Sequence, residues 1–98
     1  MTASQPTQTS ALPDRLTHGE AQAWMDGWVA NLGAAPAGAV HVDASALQNF
    51  DSSALAVLLE ARRRAIESGR PFGVLGMPPR LRQLAALYGV DGLLAPAG

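Results

Sequence analysis

The segment Asn49-Phe50-Asp51-Ser52-Ser53-Ala54-Leu55 puts a carboxylate and two hydroxyls in three consecutive positions. Read physically, Asp51 is a helix N-cap. Its side chain accepts from the amides of the first turn, its charge suits the positive end of the helix dipole, and the cap is worth about 1 kcal/mol. Phe50 and Leu55 fall at the N′ and N4 positions of a hydrophobic staple, which fixes how the chain enters the helix. Asp-Ser-Ser is a common helix start, so spacing alone favours this capping account. The hydroxyls of Ser52 and Ser53 can also carry phosphate. A phosphate brings about −1.5 to −2 charges, which the helix N-terminus welcomes and Asp51 repels; the expectation is an intact fold with a partner blocked.

Other chemistry is excluded by residue type. With no cysteine, the chain has no disulfide framework, thiolate zinc site or cysteine nucleophile. His18 and His41 are its only histidines, and neither has a neighbour at metal-ligand spacing, so both read as surface residues. There is no G-x-G-x-x-G, no G-x-S-x-G elbow and, lacking lysine, no Walker A motif. Asp43 and Asp51 could meet near the strand ends, but capping already accounts for one of them. The expectation is a non-enzyme with neither metal nor cofactor.

The 98 residues, 48% hydrophobic with net charge −1, are enough for one domain and too few for two. Near-neutral charge argues against a nucleic-acid binder. The halves differ: residues 1–51 hold one Arg against five acids, and residues 52–98 hold six Arg against three. A solvated face is the commoner reason for such a skew, a partner surface the sharper one. Met1 to Ser10 lacks the basic stretch and apolar run of a secretory signal. The longest uncharged stretch, Gly27 to Val42, is interrupted by Asn31, Gly33, Pro36 and Gly38 and falls short of the ~20 apolar residues of a span. A soluble, cytoplasmic protein is expected.

Residues 1–10 read as a flexible tail running into a weak edge strand near Thr7 to Leu12, with the domain itself spanning 11–98. Thr17-His18-Gly19-Glu20 is a capping box. After it Ala21, Trp24, Met25, Trp28, Val29 and Leu32 recur at amphipathic-helix spacing, with Gly33 as the expected stop. The pair Trp24 and Trp28 reads as core rather than ligand cage. Ala39 to Asp43 reads as a strand, and Asp51 to Ser68 as a helix stopped by Gly69 and Pro71. Phe72 to Leu75 is a second strand, Pro79 to Tyr88 a third helix ended by Gly89, and Leu93-Leu94 a possible last strand. Strand, helix and strand in this order form a βαβ unit. The expected architecture is α/β: a small mixed central sheet with about three packed helices.

Projected at about 100° per residue, the second helix carries apolar residues from Ala54 to Ile66 over roughly 200°, where a one-sided surface helix needs little more than about 100°. Its polar arc pairs Glu60 with Arg64 and Arg63 with Glu67, each pair worth only about 0.2–0.5 kcal/mol. The excess is covered either by sheet and neighbouring helices or, on the flank near Ser52 and Ser53, by a partner protein. Arg62 falls inside the apolar arc, packing its stem while its guanidinium reaches out to an acidic or main-chain acceptor. Arg80 and Arg82 sit at the unfavourable positive end of the third helix, which points to an external anion or carboxylate.

Val40-His41-Val42-Asp43-Ala44-Ser45-Ala46-Leu47, the Phe50 to Leu55 segment, the strand at Phe72 and Leu87-Tyr88-Gly89-Val90 together resemble a STAS domain, the fold of anti-sigma-factor antagonists. The resemblance runs from about Leu12 to Leu94. Within that family the compact length, the Leu87 to Leu94 ending and the short N-terminal strand are most similar to MlaB-type subunits, cytoplasmic partners in the Mla phospholipid-transport ABC complex of Gram-negative bacteria. The resemblance implies a non-catalytic subunit on an MlaF-like ATPase at the inner membrane, supporting outer-membrane lipid asymmetry without inserting into the bilayer. By position, Ser53 matches the serine phosphorylated in the antagonists, and Ser52 the hydroxyl residue at the ATPase contact. Asp51, Ser52, Ser53, Ala54, Leu55 and Arg62 are the expected partner-binding residues. The antagonists usually follow the serine with Gly, where this chain has Ala54; the alternative is a switch phosphorylated at Ser53, or at Ser52, by an anti-sigma factor kinase.

Overall fold

The computed structural model describes residues 8–34 and 38–94. Its elements are β1 (Gln8–Ala11), β2 (Arg15–Leu16), α1 (His18–Ala34), β3 (Val40–Asp43), β4 (Asn49–Phe50), α2 (Ser52–Glu67), β5 (Phe72–Leu75) and α3 (Pro79–Leu87), followed by a 3-10 turn over Asp91–Leu94. Residues 1–7 of the expected tail lie outside the described residues, while Gln8 to Ser10 already belong to the edge strand.

The sheet has the order β1-β3-β5, with Gln8 opposite Val40 and Val40 opposite Phe72. The α/β fold with three helices forms as expected. Its described pairs are all parallel, so the sheet is parallel rather than mixed. That follows from the connections: α1 and α2 each carry the chain back across the sheet, returning every strand in the same direction. A second parallel pair, β2 with β4, is only two residues long.

Alternation buries Val40 and Val42 on β3. Leu55 and Leu58 of α2, with the small side chains Ala54, Ala61 and Ala65 of the same helix, belong to the same core cluster. Trp28 and Leu32 of α1, Leu81 and Ala85 of α3, and Leu94 complete the core. Trp24 stacks on Trp28 with centroids 6.1 Å apart, and its indole N–H donates to the Ala11 carbonyl at 3.1 Å. Trp28 is thus a core residue, as its spacing suggested.

Helix ends follow local chemistry at two places. After α2, Gly69 takes φ +74°, its N–H donates to the Ile66 carbonyl and that of Arg70 to the Ala65 carbonyl, a complete Schellman closure. Gly89 repeats this after α3, with Val90 donating to Ala85. Gly33, in contrast, does not stop α1, which continues through it to Ala34. The end of α1 is instead held from a distance. The buried Arg70 guanidinium donates to the Leu32 carbonyl at 3.4 Å and the Gly38 carbonyl at 2.9 Å, a cation at the negative end of a helix dipole.

Leu93-Leu94 is not a strand. The closure at Gly89 turns the chain back beneath α3, and the 3-10 turn seats Leu94 in the core while Leu93 faces out.

Gly76 has φ +65°, and a Cβ there would lie 2.8 Å from Ser45 Cβ and 3.3 Å from Asp43 Oδ1. Gly69 shares the left-handed conformation but has open space around it. Gly69→Ala should therefore cost about 1 kcal/mol, the left-handed penalty alone. Gly76→Ala should cost at least about 1 kcal/mol more, from overpacking. Urea unfolding of both variants measures the difference, and equal losses would show that the close approach carries no energy.

Candidate functional site

The β2–β4 pair sets Leu16 opposite Phe50, so Thr17 and Asp51, the residues that follow, bring the N-termini of α1 and α2 side by side. The main-chain amides of Gln48 and Asn49 both donate to the Asp14 carbonyl, fixing the approach to β4.

Asp51 is the N-cap of α2. Its backbone is extended, and Oδ1 accepts from the Ser53 amide at 2.8 Å. That amide chiefly holds the Asp51 carboxyl below the usual carboxylate range; the Ser53 hydroxyl and the His18 amide add to the effect, and partial burial opposes it. At α1, Glu20 Oε1 accepts from the Thr17 amide at 2.8 Å and from the Thr17 hydroxyl at 2.7 Å. The expected capping box is thus one-sided: the hydroxyl donates to the carboxylate, and the Glu20 amide bonds the Thr17 carbonyl instead. Asp43 and Asp51 do not pair. Each accepts from the amide two residues ahead, Ser45 for Asp43 and Ser53 for Asp51.

Successive helix residues point about 100° apart, and this separates the two serines. Ser52 is exposed and lines a groove of about 470 Å³ toward α3, walled by Phe50, Arg80, Gln83, Leu84 and Leu87. Ser53 is half-buried and lines a different groove, of about 280 Å³, toward α1, with His18, Ala21, Met25 and Glu60. The guanidinium of Arg80 lies over the Phe50 ring, 5.3 Å from its centroid.

The remaining expected residues are placed differently. Ala54 and Leu55 are 0% and 3% exposed, so in the isolated chain they support the turn from beneath. Arg62 is half-buried ten residues along α2 from Ser52, about 15 Å away at 1.5 Å per residue, and the structure does not bring it to the serines. Gln83, Leu84 and Leu87 were not read as site residues. Their signal was present in the sequence: Arg80, Gln83, Leu84 and Leu87 follow i, i+3, i+4, i+7, one stripe of α3, opposite the buried Leu81 and Ala85.

The family profile described as "Mlab, STAS domain" matches residues 8–95. The chain belongs to this STAS family. Among solved structures, its STAS fold is similar to a serine-to-glutamate variant of Moorella thermoacetica RsbS, with a TM-score of 0.75 and 23% identity over 99% of this chain and 84% of that one. No curated protein matches the chain in sequence. STAS domains are in general non-catalytic regulatory and interaction modules. No described helix of this STAS domain is long and apolar enough to cross a membrane.

Two carboxylates, one at the start of α1 and one paired along α2, make the STAS domain acid-sensitive in a defined direction. Glu20 is lowered to about 2 by the hydroxyl and amide of Thr17, aided by Arg15, and Glu60 to about 2 by Arg63 and Arg64. A depressed folded-state carboxyl stabilises fully above its unfolded value, about 4.5, and that stability is lost as pH falls toward 2. Urea unfolding at pH 7, 4 and 2.5 should show this loss. Glu20→Gln should flatten it; an unchanged acid slope would remove the Thr17–Glu20 cap from the account.

Proposed function

We propose that this protein is the non-catalytic STAS subunit of a Gram-negative phospholipid-transport ABC transporter of the Mla type. It binds the MlaF-like ATPase on the cytoplasmic side and supports its assembly or activity in maintaining outer-membrane lipid asymmetry. The reading is carried by the family match over residues 8–95. The exposed first turn of α2 fits it physically. Two small hydroxyl residues stand at this helix start, Ser52 on one open groove and Ser53 on another, where a partner approaches the backbone closely without displacing a large side chain. Asp51, Ser52 and Ser53 are the contact residues in this reading. Ala54 and Leu55 hold them in place, and Arg62 reaches an acceptor farther along the partner. The protein is peripheral on the inner membrane through the complex, with β1 from Gln8 onward as part of the working domain.

Co-expression with the cognate ATPase should give a complex that co-elutes in size-exclusion chromatography. Ser52→Arg, which fills the groove beside Arg80, should weaken that complex about tenfold or more, as truncation or blockage at the centre of an interface does. Free migration of the two wild-type proteins would end this reading.

A second reading, an anti-sigma-factor antagonist switched at Ser53, is favoured by the position of that serine in the first helical turn. Its environment is less suited to phosphate: Ser53 shares its groove with Glu60, while the cation Arg80 faces Ser52. Under the transporter reading, incubation with ATP and an anti-sigma factor kinase leaves Ser53 unmodified by mass spectrometry. Stoichiometric phosphate that disappears in Ser53→Ala would establish the switch instead.

A further inference from the structure

The groove between the start of α2 and the outer stripe of α3 has two features that nothing within the described chain satisfies. One is charge. Arg15, Arg63 and Arg64 each pair with a carboxylate, whereas Arg80 forms no ion pair among the described residues. Its stacking over Phe50 fixes the guanidinium at the groove wall without neutralising it. The first turn of α3 holds no acid and its N-cap Pro78 offers no side-chain cap, so nothing on the helix itself offsets its positive end beside Arg80. The other is apolar surface. Leu87 is 80% exposed, the most of any large apolar side chain described, and lies on the same stripe as Arg80 with the half-buried Leu84 between them.

Charge complementarity selects the occupant. We propose that this groove seats an acidic and apolar segment of the partner ATPase: a carboxylate on Arg80, and a bulky apolar side chain against Leu84 and Leu87. The proposal rests on the transporter reading above and names the chemistry of the contact. Arg80 and Leu87 are seven residues apart, about 10 Å along the helix. The partner's carboxylate and apolar anchor are therefore about seven residues apart on a helix, or about three on an extended strand at ~3.3 Å per residue. A single carboxylate suits the site better than a phosphate. Asp51 stands on the same wall, and its repulsion of an incoming anion grows with the charge brought in.

The test is the affinity of the full chain for the cognate ATPase, by titration calorimetry, with thermal melts confirming that each variant is folded. Arg80→Glu and Leu87→Gln should each weaken binding about tenfold or more. Arg82→Glu makes the same charge change on the opposite side of α3 and should alter affinity by less than about threefold. A photo-reactive benzoylphenylalanine in place of Leu87 should cross-link to an ATPase peptide containing Asp or Glu within seven residues of a large apolar residue. Wild-type binding with Arg80→Glu and Leu87→Gln unchanged overturns the groove assignment and leaves the transporter reading standing. Equal weakening by Arg80→Glu and Arg82→Glu also overturns it, since the effect is then diffuse charge. A wild-type chain that does not bind removes both.

Discussion

Two helix N-termini lie side by side at one end of this molecule, and each is held by a carboxylate, Asp51 at α2 and Glu20 at α1. The arrangement follows from the two-residue parallel pair of β2 and β4, which ends α1's lead-in and α2's lead-in at the same level. Adjacent positive helix ends repel one another and leave amides without acceptors. At α2 Asp51 answers both problems, since its carboxylate brings a negative charge to that end and accepts from the Ser53 amide. Glu20 places a second negative charge on the α1 side. With the two starts fixed, α1 and α2 pack together, and the first turn of α2 is left facing out between α1 and α3.

The apolar surface of α2 is divided differently from what its sequence projection suggests. Its fully buried residues, from Val57 through Ala54 to Leu55, cover an arc of roughly 160° at 100° per residue. The sheet, α1, α3 and the 3-10 turn account for that arc within the chain. What is left over on α2 is Leu59, half-buried, and Ile66, 48% exposed, toward its far end. The other exposed large apolar side chains among the described residues, Leu87, Tyr88 and Leu93, sit around the end of α3. The excess read from the projection of α2 is small on α2 itself, and α3 with the turn after it exposes more large apolar side chains.

Features set by neighbours in sequence were legible from the sequence. The N-cap at Asp51, the closures at Gly69 and Gly89, the periodicity of α1 and the alternation of β3 all depend on residues within about five positions of one another. The STAS fold was legible too, because its signature lies in the same segments. Features that failed or were missed depend on distant residues. Gly33 looks like a helix stop until Arg70, 38 positions away from Leu32, is seen to hold the end of α1. Two-residue strands such as β2 and β4 carry no periodicity, and a pair of leucines cannot distinguish a strand from a 3-10 turn. Arg80 was legible as a cation out of place, but its seat over Phe50 joins residues 30 apart.

The division of Ser52 from Ser53 bears most directly on the candidate site. Two adjacent serines in a helix start invite treatment as one patch, yet a helical step of about 100° sends them into separate grooves with different electrostatics. The Ser52 groove has Arg80 and exposed leucine; the Ser53 groove has Glu60, His18 and half-buried methionine. A partner that engages both must straddle α2 at its first turn, where the helix presents only small side chains between Asp51 and Ala56. A substitution of either serine then perturbs one half of such an interface and leaves the other free to bind. This is why bulk at Ser52 and charge at Arg80 probe the same half of the contact, and why a modification at Ser53 need not affect it.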